Sequence, residues 1–248
     1  MADPVVNSSA VPASGALEAA FAALQRYREG SPRGDLLPID DAVRRSRPGA
    51  VDRDRLEERL LGVLRADLPV EAREYAARQL VRIVTDAAAP LLGELASDPA
   101  VREAARGVLE ALGSEAAAAA LRGCLDRLDG ASRAGVAAAL GRLRDPESVG
   151  ALATMLNAED PRPAEAALFA LGRIGTPAAA EALDARAVRA PVALLPVLGD
   201  ALLACAESLI AAGRPDAAVP LCRRAARAPF PSHVRAAAVR IGGPAVGA

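Results

Sequence analysis

Side chains able to do chemistry are scarce in this chain. It has one imidazole, His233, three thiols, Cys124, Cys205 and Cys222, and no lysine, since all 30 of its basic residues are arginine. A single histidine allows at most one imidazole in any catalytic constellation and rules out a three-histidine metal site. His233 stands beside Ser232 at the start of the last helical segment and reads as a solvated or capping residue. Without lysine there is no Schiff-base amine and no Walker-type phosphate loop, because both need that amine at a defined place. Neither a GxSxG elbow nor a GxGxxG fingerprint occurs.

The three thiols are widely spaced on apolar helical stretches, form no CxxC pair and have no histidine nearby. They read as reduced core residues, with nucleophilic attack or chromophore attachment as the alternative role. The loop from Gly30 to Gly34 reads as an interhelical turn, the alternative being an anion held by backbone amides and Arg33. Neighbouring acids occur at Asp40-Asp41 and Glu57-Glu58. Adjacent residues on a helix point about 100° apart, so neither pair makes a two-carboxylate site, and both are expected on solvated helix faces.

A net charge of −1 and a pI near 6.0 argue against a generic nucleic-acid binder. The abundance of Ala, Arg, Gly and Pro is that of a GC-rich bacterial genome, which accounts for the arginine preference without phosphate recognition. The first fifteen residues lack a basic region followed by an apolar run. No later segment reaches about 18 apolar residues free of proline and charge. The expectation is a cytoplasmic protein with no membrane contact.

What must position these groups is a repeat. Asp67, Asp98, Asp129 and Asp160 follow one another at intervals of 31 residues, the next step falls on Pro191, and an aliphatic-rich segment follows each point. A fixed period in that range predicts an array of helix pairs. Composition agrees: 52% of residues are hydrophobic, with alanine the commonest of them, and only 2% are aromatic. That suits closely packed helices with small side chains between them. Helix starts are marked at Asp98-Pro99, Asp145-Pro146, Asp160-Pro161 and Thr176-Pro177, where a capping oxygen precedes a proline. Gly113, Gly175 and Gly213 stand where second helices should end in the left-handed conformation. A disordered lead is expected over 1–15, an atypical capping pair over 16–50 with helices at about Ala16 to Glu29 and Leu36 to Arg45, one continuous array over 51–242, and a tail over 243–248. The fold class is all-α: an α-α superhelix, a right-handed solenoid of about six antiparallel pairs, the fifth with a lengthened second helix.

The segments Ala137-Ala-Ala-Leu-Gly-Arg-Leu143 and Ala167-Leu-Phe-Ala-Leu-Gly-Arg-Ile-Gly175, each after a turn aspartate, resemble HEAT repeats of the short bacterial, phycobilisome-lyase-like kind. The resemblance covers about Val51 to Ile241 and implies fold more than function. Such repeats occur in scaffolds, chromophore-attachment proteins, a metal-dependent hydroxylase and DNA-repair glycosylases. The hydroxylase branch uses His-Glu pairs as iron ligands, and none occurs here. A glycosylase would present aromatic residues and a basic groove, whereas this chain has no Trp, two Tyr and three Phe. The resemblance implies that second helices line the concave side. There Arg142 and Arg173, like Arg82 and Arg240, precede a terminal aliphatic residue, with Arg102, Arg106 and Arg133 one or two turns earlier. These arginines either bind a partner or complement helix C-termini and turn acids. The reading is a non-enzymatic scaffold or adaptor, a monomer or part of a larger assembly, binding a protein or peptide on its concave face through Arg102, Arg106, Arg133, Arg142 and Arg173, with no metal and no cofactor. The alternative is an accessory factor for cofactor or chromophore attachment.

Overall fold

The computed structural model describes residues 14–158 and 160–243, so most of the expected lead and the tail from 244 lie outside the described residues. All regular structure among those residues is helical. The chain divides into two compact units, one ending at Leu112 and the other starting at Gly113. The first holds α1 (Ser14–Leu24), α2 (Leu37–Arg45), α3 (Val51–Arg65), α4 (Val70–Leu80), α5 (Ala89–Leu95) and α6 (Arg102–Leu112). The second holds α7 (Glu115–Leu125), α8 (Gly130–Leu143), α9 (Val149–Met155), α10 (Pro161–Ile174), α11 (Pro177–Ala187), α12 (Leu195–Ala211), α13 (Pro215–Ala225) and α14 (Ser232–Gly242). From α3 onward the helices pack as six successive pairs, and α12, at 17 residues, is the lengthened one.

The 31-residue period is the turn inside each pair. Asp67, Asp98, Asp129 and Asp160 precede α4, α6, α8 and α10, and Pro191 precedes α12. Two of the four carboxylates take up backbone donors: Asp98 accepts from the Ala100 amide at 2.9 Å and Asp160 from the Arg162 amide at 3.0 Å. Asp129 occupies the N-cap without a side-chain bond. A second register of the same length, Ser114, Asp145 and Thr176, opens the first helices. Ser114 and Thr176 each accept the amide three residues on, at 3.3 and 3.2 Å. Asp145 departs from the capping role expected of it. Its carboxylate is buried and turns instead to Arg122 of α7, 2.6 Å away.

Helix ends follow the same spacing. Gly113 and Gly175 adopt positive φ, as does Gly213 further on, and between the first two Arg144 takes that conformation with φ 54°. Helix α1 ends at Leu24 rather than Glu29, because the Arg26 and Tyr27 amides bond three residues back and tighten the last turn out of α geometry.

The core of the second unit is a ladder of repeats. Leu140, Leu171 and Leu202 on the second helices, and Leu121, Leu152 and Leu183 on the first, are all fully buried at the same interval. Second helices stack in order, α8 on α10, α10 on α12 and α12 on α14, while α9, α11 and α13 stack likewise. The stacking is close because small residues meet: a Cβ at Gly141 would stand 2.5 Å from Ala170 Cα, and one at Gly172 would stand 2.9 Å from the Ala201 carbonyl oxygen. Polar brackets tie successive pairs. Arg224 of α13 forks onto Asp184 of α11 at 2.7 and 3.1 Å, and Arg186 Nε donates to the Leu156 carbonyl at 3.0 Å.

The first unit uses buried polar latches. Tyr75 OH and Gln79 Nε2 both donate to Asp40, each at 2.8 Å, joining α4 to α2. Burial and the Asp40 carboxylate drive the Tyr75 pKa well above its ordinary value. Glu57, 6% exposed, accepts the Thr85 amide at 2.7 Å and bonds its hydroxyl. One member of each neighbouring acid pair, Asp40 and Glu57, is thus turned inward, contrary to the solvated faces expected for both. The helical twist sends the other members outward: Glu58 is exposed and Asp41 pairs with Arg44 at 2.6 Å.

Val192–Ala211 is long and apolar enough to cross a membrane, the one such run among the described residues, but half of it is buried within the second unit. Asp200 and Glu207 stand exposed along it, so it serves as a core helix.

Candidate partner-binding surface

Once the pairs have stacked, each second helix keeps an exposed face. In the first unit, α4 and α6 flank a groove of about 420 Å³ lined by Arg73, Glu74, Arg78, Arg102 and Glu103 among others. Arg102 donates to the Ser97 carbonyl at 3.2 Å, closing the turn after α5. Arg106 is clamped between Glu103 and Glu110 of its own helix. Burial works against its charge, and bonding to the two glutamates outweighs that and raises its pKa. Sequence reasoning passed over Arg73, whose Nε is buried without a hydrogen-bond partner beside the same groove.

In the second unit, Arg133 reaches back to Asp126 at 3.5 Å. Arg142 is exposed on α8, and Arg173 occupies the equivalent place one repeat later on α10. The Arg173 guanidinium lies over the Phe169 ring, 5.7 Å from its centroid, and that ring is 44% exposed. Glu165, Asp200 and Glu207 are exposed on α10 and α12, so the surface mixes both signs. Phe169 was also missed at the level of sequence. A signal for it existed: Ala167, Leu168 and Leu171 mark the buried stripe of α10, and Phe169 falls off that stripe by the helical period.

Of the five arginines proposed from sequence, Arg102 and Arg106 lie in the first unit and Arg133, Arg142 and Arg173 in the second. Arg102, Arg106 and Arg133 are engaged by groups of their own helix pair, and Arg142 also makes an interaction of its own. Arg142 and Arg173 share one register on adjacent helices, with the exposed Phe169 one turn before Arg173.

The nucleophiles are inaccessible. Cys124, Cys205 and Cys222 are all fully buried. Desolvation pushes the Cys205 pKa up to about 12, and burial together with Glu207 raises that of Cys222. A thiol held protonated is a poor nucleophile. His233 is exposed in the first turn of α14. The Gly30 loop closes as a tight turn, with the Arg28 amide donating to Ser31 Oγ at 3.0 Å and the Ser31 amide to the Arg28 carbonyl at 3.0 Å. No group of three or more His, Cys, Asp or Glu able to hold a metal ion occurs among the described residues.

Residues 125–195, from the end of α7 into the start of α12, match the family of HEAT repeats. This stretch is a run of HEAT repeats. No curated protein matches the chain. Among solved structures, an engineered protein is similar over 91% of this chain and 67% of its own, with a TM-score of 0.47 and 18% identity. The complex of CpcE and CpcF of phycocyanin lyase from Nostoc sp. PCC7120 is similar over 98% of each chain, with a TM-score of 0.45 and 19% identity.

Proposed function

We propose that this protein is a non-enzymatic HEAT-repeat scaffold, cytoplasmic, that binds a protein or peptide segment across the exposed faces of its second helices, the concave side of such an array. Residues 16–50 form its capping pair and 51–242 the array. The observation that carries this reading is the exposed Phe169 ring with Arg173 over it and Arg142 in the same register on the next helix. An aromatic anchor beside planar cations is the composition that contributes most at protein interfaces. It suits a segment with an apolar side chain flanked by carboxylates, which the guanidinium forks grip in a bidentate manner. A continuous phosphate strand would run against Glu165, Asp200 and Glu207, which disfavours nucleic acid. Carrying a chromophore on one of this chain's own thiols calls for a reachable sulfur, and all three thiols are buried.

The test is affinity capture from the native cell lysate with the parent chain, Phe169→Ala and the pair Arg142→Glu with Arg173→Glu, after circular dichroism shows all three equally helical. Proteins captured by the parent and lost by both variants support the reading. An unchanged set removes these residues from the site. A coloured or nucleotide ligand without a protein partner overturns the scaffold in favour of an accessory factor for cofactor attachment.

A further inference from the structure

The first unit also holds a cavity of about 510 Å³ that the second-helix faces do not share. It lies between α1, the end of α2 and the first half of α3, and Leu17, Ala42 and Leu56 give it an aliphatic lining. Four guanidinium groups, those of Arg45, Arg47, Arg55 and Arg59, also line it, against only two carboxylates, Glu18 and Asp52.

These charges are not evenly matched. Arg59 grips Glu18 through both guanidinium nitrogens, at 2.6 and 2.9 Å, and its charged group stacks 3.8 Å from the centre of the Phe21 ring. That arrangement neutralises Glu18 and fixes one wall. The guanidinium groups of Arg47 and Arg55 are exposed and make no hydrogen bond or ion pair among the described residues, while Arg45 is already engaged, leaving Asp52 as the one uncommitted acid. A cation would meet an excess of like charge here. A neutral apolar molecule would leave the guanidinium forks unused.

We propose that this cavity binds a small amphipathic anion. Its carboxylate or phosphate head is held by Arg47 and Arg55, whose planar forks match the oxygens of either group. Its apolar body lies on Leu17, Ala42 and Leu56. The volume falls within the range of about 300–1,000 Å³ usual for small-molecule sites.

Isothermal titration of the full chain with octyl phosphate, inorganic phosphate and octanol tests this, alongside vesicles containing phosphatidic acid. The variants are Arg47→Gln with Arg55→Gln, both exposed and outside the core, and Arg102→Gln in the separate groove. Octyl phosphate is expected to bind with a dissociation constant on the order of 0.1 mM. Inorganic phosphate and octanol alone should bind at least about tenfold more weakly, since each supplies half of the recognition. The double variant should lose at least about tenfold in affinity, and Arg102→Gln should lose nothing. Equal binding by the double variant, or inorganic phosphate binding as well as octyl phosphate, overturns the proposal. Binding to the vesicles without binding of soluble octyl phosphate also overturns it and assigns the arginines to a lipid surface. The second-helix variants Phe169→Ala and Arg142→Glu/Arg173→Glu should leave this binding unchanged, so failure at either site is distinguishable from failure at the other.

Discussion

Gly141→Ala should destabilise the second unit even though alanine is the better helix former. The gain is familiar: replacing a helical glycine by alanine is worth about 1 kcal/mol. At this position the new methyl would stand 2.5 Å from Ala170 Cα and 2.8 Å from its Cβ. Carbon atoms rest at about 3.5–4.0 Å, so α8 and α10 would have to part by roughly 1 Å. The obstacle is backbone, which no rotamer change relieves, and the helices are held on either side by the buried Leu140 and Leu171. Overpacking of this kind costs about 1–3 kcal/mol, and the upper part of that range applies where helices must move. The net expectation is a loss of about 1–2 kcal/mol. Gly123→Ala on α7 is the control in the same unit. Nothing lies within 4 Å of its Cβ position, so it should gain about 0.5–1 kcal/mol. Urea unfolding followed by far-UV circular dichroism, with hydrogen exchange on α8 and α10 to isolate this unit's transition, separates the two variants by sign. If Gly141→Ala proves as stable as the parent or more so, the close approach of α8 and α10 is wrong.

Arg144→Gly should stabilise by about 0.5–1 kcal/mol, because a non-glycine residue at φ 54° carries left-handed strain that glycine lacks, less the greater freedom of unfolded glycine; thermal melts decide. Cys205 is buried and neutral with its pKa raised to about 12 from 9.0, so its contribution is complete below about pH 9 and is lost as pH rises toward 12. Urea titrations at about pH 8 and pH 10.5 should show the parent losing about 2 kcal/mol more than Cys205→Ala, and equal losses would remove burial as the cause. Arg122→Ala leaves the buried Asp145 carboxylate without its cation and should cost about 2–3 kcal/mol, below the full buried-pair range because Arg122 is itself a quarter exposed. Adding Asp145→Asn should recover part of that loss in a double-mutant cycle, and strict additivity would refute the coupling.

The period was legible because it is local chemistry repeated. A turn acid or proline every 31 residues, leucines on a helical stripe and glycines at helix ends are each readable within one repeat, and they predicted the pairs from α3 onward and the positive-φ glycines. Arg144 escaped because its residue type argues against the left-handed conformation that closes this helix end, where its amide bonds the Gly141 carbonyl and the Asp145 amide bonds the Leu140 carbonyl. Asp145 escaped for a related reason: capping depends on adjacent residues, but burial beside Arg122 comes from another helix.

The site was less legible than the fold. Residue type and spacing nominated five arginines, yet only stacking decides which guanidinium is spent on a turn carbonyl or a neighbouring glutamate, as for Arg102 and Arg106, and which lies on an aromatic ring, as for Arg173. The same holds for the cavity walled by Arg47, Arg55 and Arg59, whose residues come from three elements with no shared motif. Sequence by itself determined the all-helical repeat, because helix propensity, capping and the apolar stripe act over a few residues. Tertiary structure alone decided which polar groups are buried, paired or free, because desolvation and charge pairing depend on atoms brought together from distant parts of the chain.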